Sequence, residues 1–373
     1  MSDGVKSAFA IQALNDFVYG AMTIIIPLLM IERGIDVESM GLIFAVLPII
    51  SQTARITFAT ISDFIGRKIF YGLNSVMNVI FISVYYFAHH PLEFLSGKFA
   101  EGIRNASLWS VNRAYFLDHS YEKKKILIKM RGVASTFSAF GTIAAGLLIA
   151  LLFYENTMLI CIIISLFIIP QVFRLKDKMK RKVSVLSILK SFDIRGRKGV
   201  FKNFVIIFIF TGIGWGLIAG YIFPLFLRLL GYNEQSIGLI LGARTLCMGL
   251  VIYFLASRLS GKKLILFGGL FFAATVGLLS FATESTALAI MLLGGLADGL
   301  LSAGFEYIFV KVVNHNSSAG DIAILMFGLH MGMSASLAAS GFIITSMGFP
   351  FMFFVSAFLF AATSIASYKN LKR

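Results

Sequence analysis

The decapeptide ISDFIGRKIF, residues 61–70, interrupts two long apolar runs, Met40 to Ile61 before it and Phe70 to Ala88 after it. An acid, a glycine and two cations occupy the break: Asp63, Gly66, Arg67 and Lys68. Glycine lets the backbone reverse where a side chain would clash. The stretch therefore reads as a tight hairpin between two apolar helices, held on one side of a membrane by Arg67 and Lys68. Asp63 is more than topology requires, and an acid there can meet a helix N-terminus or a neighbouring cation.

The rest of the chain supports that reading. Of 373 residues, 58% are hydrophobic and only 14% charged, where a soluble domain carries about a quarter charged. Runs long enough to cross a bilayer, about 20 residues each, recur from end to end. The chain is expected to be an all-α polytopic membrane protein; the alternating segments of about 10 residues that mark a membrane β-barrel are absent. The first run, Ala8 to Met30, carries Asp16 and shows no small-residue cleavage site, so it reads as a mature helix. Cys161 and Cys247 both fall inside apolar runs and read as small buried thiols.

The net charge of +15 is unevenly placed. Cations gather in alternate connections: Arg67 and Lys68; Lys123, Lys124, Lys125, Lys129 and Arg131; a stretch from Arg174 to Lys202; Arg258, Lys262 and Lys263; and the tail with Lys369, Lys372 and Arg373. The other connections are acidic or neutral, with Glu32, Asp36, Glu38, Glu93, Glu155, Glu234 and Glu284. This is the positive-inside pattern. Basic loops and both termini are expected in the cytoplasm of a cell-membrane protein, where anionic lipids attract them. The charge needs no nucleic-acid partner.

Apolar runs and turn signals give twelve spans, near 8–30, 40–61, 69–88, 91–116, 132–153, 157–173, 203–229, 236–257, 264–282, 286–312, 319–346 and 349–368. The two halves resemble each other. GIDVESMGLI (34–43) returns as GYNEQSIGLI (231–240), Pro27 as Pro224, Gly102 as Gly299, and Glu101 as Asp298. SDFIGRK (62–68) returns as SRLSGKK (257–263). A six-helix unit has been duplicated, giving an N-terminal bundle over 1–174, a basic linker over 175–202 and a C-terminal bundle over 203–373. Within the linker, SVLSILKSF (184–192) has apolar positions at helical spacing and reads as a helix lying on the membrane surface.

TISDFIGRK (60–68) resembles the loop motif of the major facilitator superfamily, a Gly-x-Leu-Ala-Asp-Arg-x-Gly-Arg-Lys pattern. Asp63, Gly66, Arg67 and Lys68 match it, while Ala59 replaces its first glycine and Phe64 its first arginine. DFVYGAMTIIIPLL in the first span, the AYFLDHS…MRG link between spans four and five, and the duplicated halves extend the resemblance over the whole chain. The resemblance implies two six-helix bundles that rock about a central cavity, with substrate near the midplane. It also implies a cytoplasmic gate in which Asp63 latches onto the start of span eleven. That start, SSAGD, offers Ser317 or Ser318 as N-cap and places Asp321 in the first turn, so Arg67 pairing with Asp321 is an alternative latch. Asp118 and Arg131 match the acid and arginine that flank the family's next cytoplasmic loop. The second copy has Arg258 in place of Asp63, so the latch reads as one-sided. The pattern is nearest to drug/proton antiporters, although the Gly-Pro pair of their fifth helix is missing: TFSAFGTIAAGLL keeps Gly141 and Gly146 without the proline.

An ionisable group at the bilayer centre costs about 2.5–3.5 kcal/mol on insertion scales, so each one points to a pathway or a partner. Asp16 lies in span one, Arg55 in span two, and Lys98, Glu101, Arg104 and Arg113 in span four. Span eight adds Arg244, span ten Asp298 and Glu306, and span eleven His330. The three-residue spacing of Lys98, Glu101 and Arg104 lets Glu101 pair with both cations. Arg104, at mid-depth, is expected to be exposed to a cavity. Asp16 has no cation in its own span and is the candidate proton carrier. Asp298 occupies the Glu101-equivalent position, Glu306 faces Trp109 in the alignment of the halves, and His330 reads as a core histidine.

No HExxH or GxSxG motif and no ATP-binding loop appear, so an intramembrane enzyme is not expected, nor a cofactor or metal. The expected function is secondary active transport of small molecules by alternating access, with protons as the coupling ion, export of amphipathic compounds first and import of an organic anion or sugar second. Arg55, Arg104 and Arg244 favour the second. The expected partners are a small-molecule substrate, protons and membrane lipids, and the expected state is a monomer.

Overall fold

A computed structural model describes residues 3–119, 123–176, 199–255, 261–313 and 318–371. Among these residues the chain is helical throughout, with no strand. The helices are α1 (Asp3–Glu32), α2 (Val37–Ile65), α3 (Lys68–Phe87), α4 (Pro91–Asp118), α5 (Lys123–Leu166) and α6 (Ile168–Phe173). The second half adds α7 (Gly199–Gly216), α8 (Ile222–Leu229), α9 (Glu234–Leu255), α10 (Lys262–Leu278), α11 (Glu284–Val312) and α12 (Ser318–Asn370). Several readings fall outside the described residues: the surface helix at 184–192, Ser317, Arg258, and the side chains of Asp63 and Lys123 to Lys125.

Nine helices among the described residues are long and apolar enough to cross a bilayer. Two of these segments are each long enough for two crossings, and the chain breaks within them at Phe153 (φ 64°, ψ 173°) and Gly348 (φ 80°, ψ 170°). The breaks fall where the apolar runs divide span five from six and span eleven from twelve. α4 has the length of a crossing at 28 residues but is dense in charge. With it, the described crossings number twelve, as the apolar runs predict.

The hairpin at 61–70 is as short as its composition implies. α2 ends at Ile65, α3 starts at Lys68, and Gly66 turns the chain at φ 97°. Its counterpart in the second copy, Gly261, turns at φ 130° ahead of α10. A side chain would strain either position.

Contacts divide the chain into two compact units. One comprises Met1–Asp36, Val46–Val183 and Asn233–Thr245; the other comprises Val37–Ala45, Ser184–Tyr232 and Leu246–Arg373. In the first unit, Ile11, Tyr71, Val111, Tyr115 and Ile168 form a core drawn from α1, α3, α4 and α6. In the second, Phe204, Ile265, Ile308 and Leu325 do the same for α7, α10, α11 and α12. α1 packs on α5 with Gly20 against the Ser138 carbonyl, and α7 packs on α12 with Gly216 against the Met333 carbonyl. Each contact sets a glycine against a backbone carbonyl of the neighbouring helix. Small residues allow such backbone approach, which drives helix association where lipid removes the hydrophobic incentive.

A buried polar network as the candidate functional site

Three helices of the first unit carry polar stripes at helical spacing. α1 places Gln12, Asn15, Asp16 and Tyr19 at i, i+3, i+4 and i+7; α3 places Tyr71, Asn74 and Asn78 along one face; α4 places Lys98, Glu101, Arg104, Asn105 and Asn112. Side chains so spaced share a face. Asn74 and Asn78 are fully buried, and Gln12, Asn15, Asp16 and all five α4 residues nearly so. Unbonded polar groups in hydrocarbon cost several kcal/mol each, so the stripes must satisfy one another.

Arg104 is the hub. Its Nε donates to Asn78 Oδ1 at 2.9 Å, Nη1 to Asn105 Oδ1 at 2.7 Å, and Nη2 to the Asn15 carbonyl at 2.9 Å. The guanidinium lies 5.6 Å from the Tyr19 ring centre and 5.4 Å from that of Phe81, a favourable place for a desolvated cation. Asn78 donates in turn to Asn15 Oδ1 at 3.2 Å and to the Asn74 carbonyl at 2.9 Å, while Asn74 donates back to the Arg104 carbonyl at 3.0 Å. The expectation that Arg104 is exposed to a cavity is corrected: it is 1% exposed, because amides from three helices and two rings enclose it.

Glu101 pairs directly with one of its two flanking cations. Lys98 Nζ donates to Glu101 Oε2 at 2.8 Å, and Tyr85 Oη donates to the same oxygen at 3.1 Å. Arg104 turns to the asparagines instead. Asp16 accepts from the Gln12 amide, Gln12 Oε1 accepts from Asn112, and Asn112 Oδ1 accepts from Tyr71 Oη at 2.7 Å. One hydrogen-bonded chain thus joins a carboxylate on α1 to α4 and then α3. Arg104 also acts on Asp16 electrostatically from across the helix interface.

The remaining expected residues are more scattered. In the second unit Asp298 is buried and accepts from Ser302 Oγ at 3.3 Å, and Glu306 is half-buried on α11. His330 Nδ1 contacts the Met326 carbonyl at 2.6 Å, one turn back, as a core histidine would. Arg244 on α9 and Arg55 on α2 are half-buried. At the hairpin, Arg67 pairs with Asp118 at the end of α4, and Lys68 Nζ donates to the Phe173 carbonyl at 2.9 Å. Arg131 is half-buried on α5 and Asp321 buried in the first turn of α12. The backbone of Asp63 belongs to the last turns of α2. No cluster of metal-ligating side chains occurs among the described residues.

Two features escape a search confined to intramembrane charges. One is the set of amides, visible in sequence only as the 12-15-16-19 and 71-74-78 spacings. The other is Arg33, a cation among Glu32, Asp36 and Glu38. Its guanidinium donates to the carbonyls of Tyr85 and Tyr86 at 3.1 Å each and to that of Ala88, and it approaches Glu155 at 3.4 Å. It thereby caps the C-terminal end of α3, where a cation is favoured by the helix dipole.

Residues 8–248 match the sequence profile of the Major Facilitator Superfamily. No curated protein sequence matches the chain. Among solved structures, the nucleoside transporter NupG is similar with a TM-score of 0.79 at 14% identity, covering 100% of both chains. A point mutant of NupG gives 0.78 at 16% identity, covering 100% of this chain and 99% of that one. The human organic anion transporter MFSD10 (TETRAN) gives 0.72 at 14% identity, covering 98% and 99%.

Proposed function

The chain belongs to the Major Facilitator Superfamily, and we propose that it is a proton-coupled secondary transporter of small amphipathic molecules in which Asp16 carries the proton. The observation that supports this is the position of Asp16 at the end of the Gln12–Asn112–Tyr71 chain. As a carboxylate, Asp16 only accepts, so Gln12 presents its NH2 group to it. When the proton sits on the Asp16 oxygen that faces Gln12, the acid donates there and Gln12 presents its oxygen instead. The amide then flips, Asn112 follows, and Tyr71 loses its acceptor. A proton on α1 is in this way felt on α4 and α3, which is the differential contact that biases two conformations. At 100 mV one charge supplies about 2.3 kcal/mol, enough for a roughly forty-fold gradient at 1.4 kcal/mol per decade.

Two directions share this coupling. Export by exchange accords with the antiporter-like hairpin. Import of an organic anion is favoured by one observation: Arg55 has no acidic partner among the described residues. Arg104 does not support it, being enclosed in the bundle.

The test uses purified protein in proteoliposomes with an internal pH-sensitive dye, an imposed pH gradient and a panel of amphipathic anions and cations. Wild type should move protons when a substrate is added, and the sign of the change gives the direction. Asp16→Asn should keep substrate exchange at equilibrium and lose gradient-driven accumulation. Accumulation at the wild-type level in Asp16→Asn would remove Asp16 from the coupling.

A further inference from the structure

Arg55 on α2 and Arg113 on α4 differ from the other intramembrane charges. Lys98 has Glu101, Arg104 has its amides, and Arg33 has carbonyls and Glu155. Among the described residues, neither Arg55 nor Arg113 makes a hydrogen bond or ion pair, and the charged group that acts on Arg55 is another cation, Arg113. The two helices pack where Gly102 of α4 meets Ile50 and Ser51 of α2. Arg55 follows Ser51 by about one turn, and Arg113 follows Gly102 by about three turns, close to the same face. Both therefore lie beyond the crossing, toward the C-terminal ends of their helices. Arg55 is half-buried and Arg113 exposed. Two like charges in a membrane-spanning region repel, and neither has a counter-charge among the described residues. An anion between them relieves both costs.

We infer that Arg55 and Arg113 form an oxyanion-binding subsite, which takes a carboxylate or phosphate group. Trp109 stands one turn before Arg113 on α4 and is 39% exposed, so an indole shares the helix face of the charge. Planar guanidinium groups match the geometry of both oxyanions. The fitting ligand is an amphipathic oxyanion with an aromatic or apolar body. A solute and the headgroup of an anionic lipid share that chemistry. As a substrate subsite, this rests on the transport reading above and specifies its substrate class.

The test is ligand binding to full-length protein in phosphatidylcholine nanodiscs at low ionic strength, with phenyl phosphate, inorganic phosphate and benzyl alcohol as probes. Phenyl phosphate should bind and raise Tm, inorganic phosphate should bind more weakly, and benzyl alcohol should do neither. Arg55→Gln and Arg113→Gln should each weaken phenyl phosphate binding at least tenfold without lowering the ligand-free Tm, since each removes one of two repelling charges. Arg113→Lys, which keeps the charge, should lose less. Trp109→Ala should affect phenyl phosphate and spare inorganic phosphate. Nanodiscs containing phosphatidylglycerol separate the sources. If that lipid alone stabilises the protein, and the double glutamine variant abolishes the effect, the subsite holds a headgroup phosphate. Wild-type affinity in both single variants, or no response to any anion, overturns the subsite. If Asp16→Asn accumulates substrate normally while the arginine variants lose binding, the proton-carrier reading fails and the subsite stands. Normal binding in the arginine variants together with uncoupling in Asp16→Asn overturns the subsite and leaves the proton carrier standing.

Discussion

Gly146 of α5 and Gly238 of α9 meet backbone to backbone: a Cβ on Gly238 would lie 2.8 Å from the Gly146 Cα. The duplicated pair repeats the relationship, with a Cβ on Gly41 lying 3.0 Å from the Gly341 nitrogen. Gly238→Val should therefore push α5 and α9 apart. Spin labels on Leu151 and Leu239, both exposed, should report a longer distance, with a stability loss of about 1–3 kcal/mol from overpacking. An unchanged distance and Tm would show that the contact is not a constraint.

Arg104 should prove to be a structural residue. Arg104→Ala leaves Asn78, Asn105 and the Asn15 carbonyl without their donor in a buried setting. Each buried acceptor left without its donor costs about 1–3 kcal/mol, so thermal unfolding in detergent should shift strongly downward. Arg104→Lys should recover little, because one ammonium cannot span three acceptors held in a fork. A near-normal Tm for Arg104→Ala would contradict the network.

Phe153 holds a backbone conformation that belongs almost entirely to glycine and costs about 1–3 kcal/mol. Its counterpart in the second copy is Gly348. Phe153→Gly should stabilise the protein by about 1 kcal/mol, after the roughly 0.5–1 kcal/mol of extra chain entropy glycine loses on folding. Gly348→Ala should destabilise it. The pair of thermal shifts, opposite in sign, checks both.

The Arg67–Asp118 pair is partly exposed, at 18% and 45% for the two side chains. Such pairs contribute about 0–1 kcal/mol, so Asp118→Asn should scarcely move Tm. If the pair serves the cytoplasmic gate, Asp118→Asn should slow flux, and the exchange of both residues, Arg67→Asp with Asp118→Arg, should restore it. Normal flux in Asp118→Asn would reduce the pair to packing.

Single cysteines at Lys124 and Glu155 should react from opposite faces of the membrane, Lys124 from the cytoplasm. Labelling of both from one face would contradict twelve crossings.

How far the sequence can be read follows from what each signal measures. Run length and charge placement depend on the bilayer, which acts on every span alike, so span limits and the Gly66 turn are legible. The break at Phe153 is legible too, although LLFYEN contains neither glycine nor proline, because the apolar run has outgrown one crossing. What a single span lacks is its azimuth. Depth identifies Arg104 as costly, but whether it faces a cavity or the bundle depends on Asn15 from α1 and Asn78 from α3. Amides escape for a related reason: each is cheap alone, and their significance emerges only when three stripes converge.

The charge density of α4 has a consequence for how the protein is made. Lys98 and Glu101 pair within α4, but Arg104 reaches Asn15 and Asn78 only when α1 and α3 are beside it. A newly synthesised α4 released alone into lipid would carry the Arg104 penalty of about 2.5–3.5 kcal/mol near the centre. That penalty favours holding α4 beside the two earlier helices as it inserts. The order in which the helices emerge from the ribosome, polar acceptors first and the arginine after them, is part of what makes the first unit assemble.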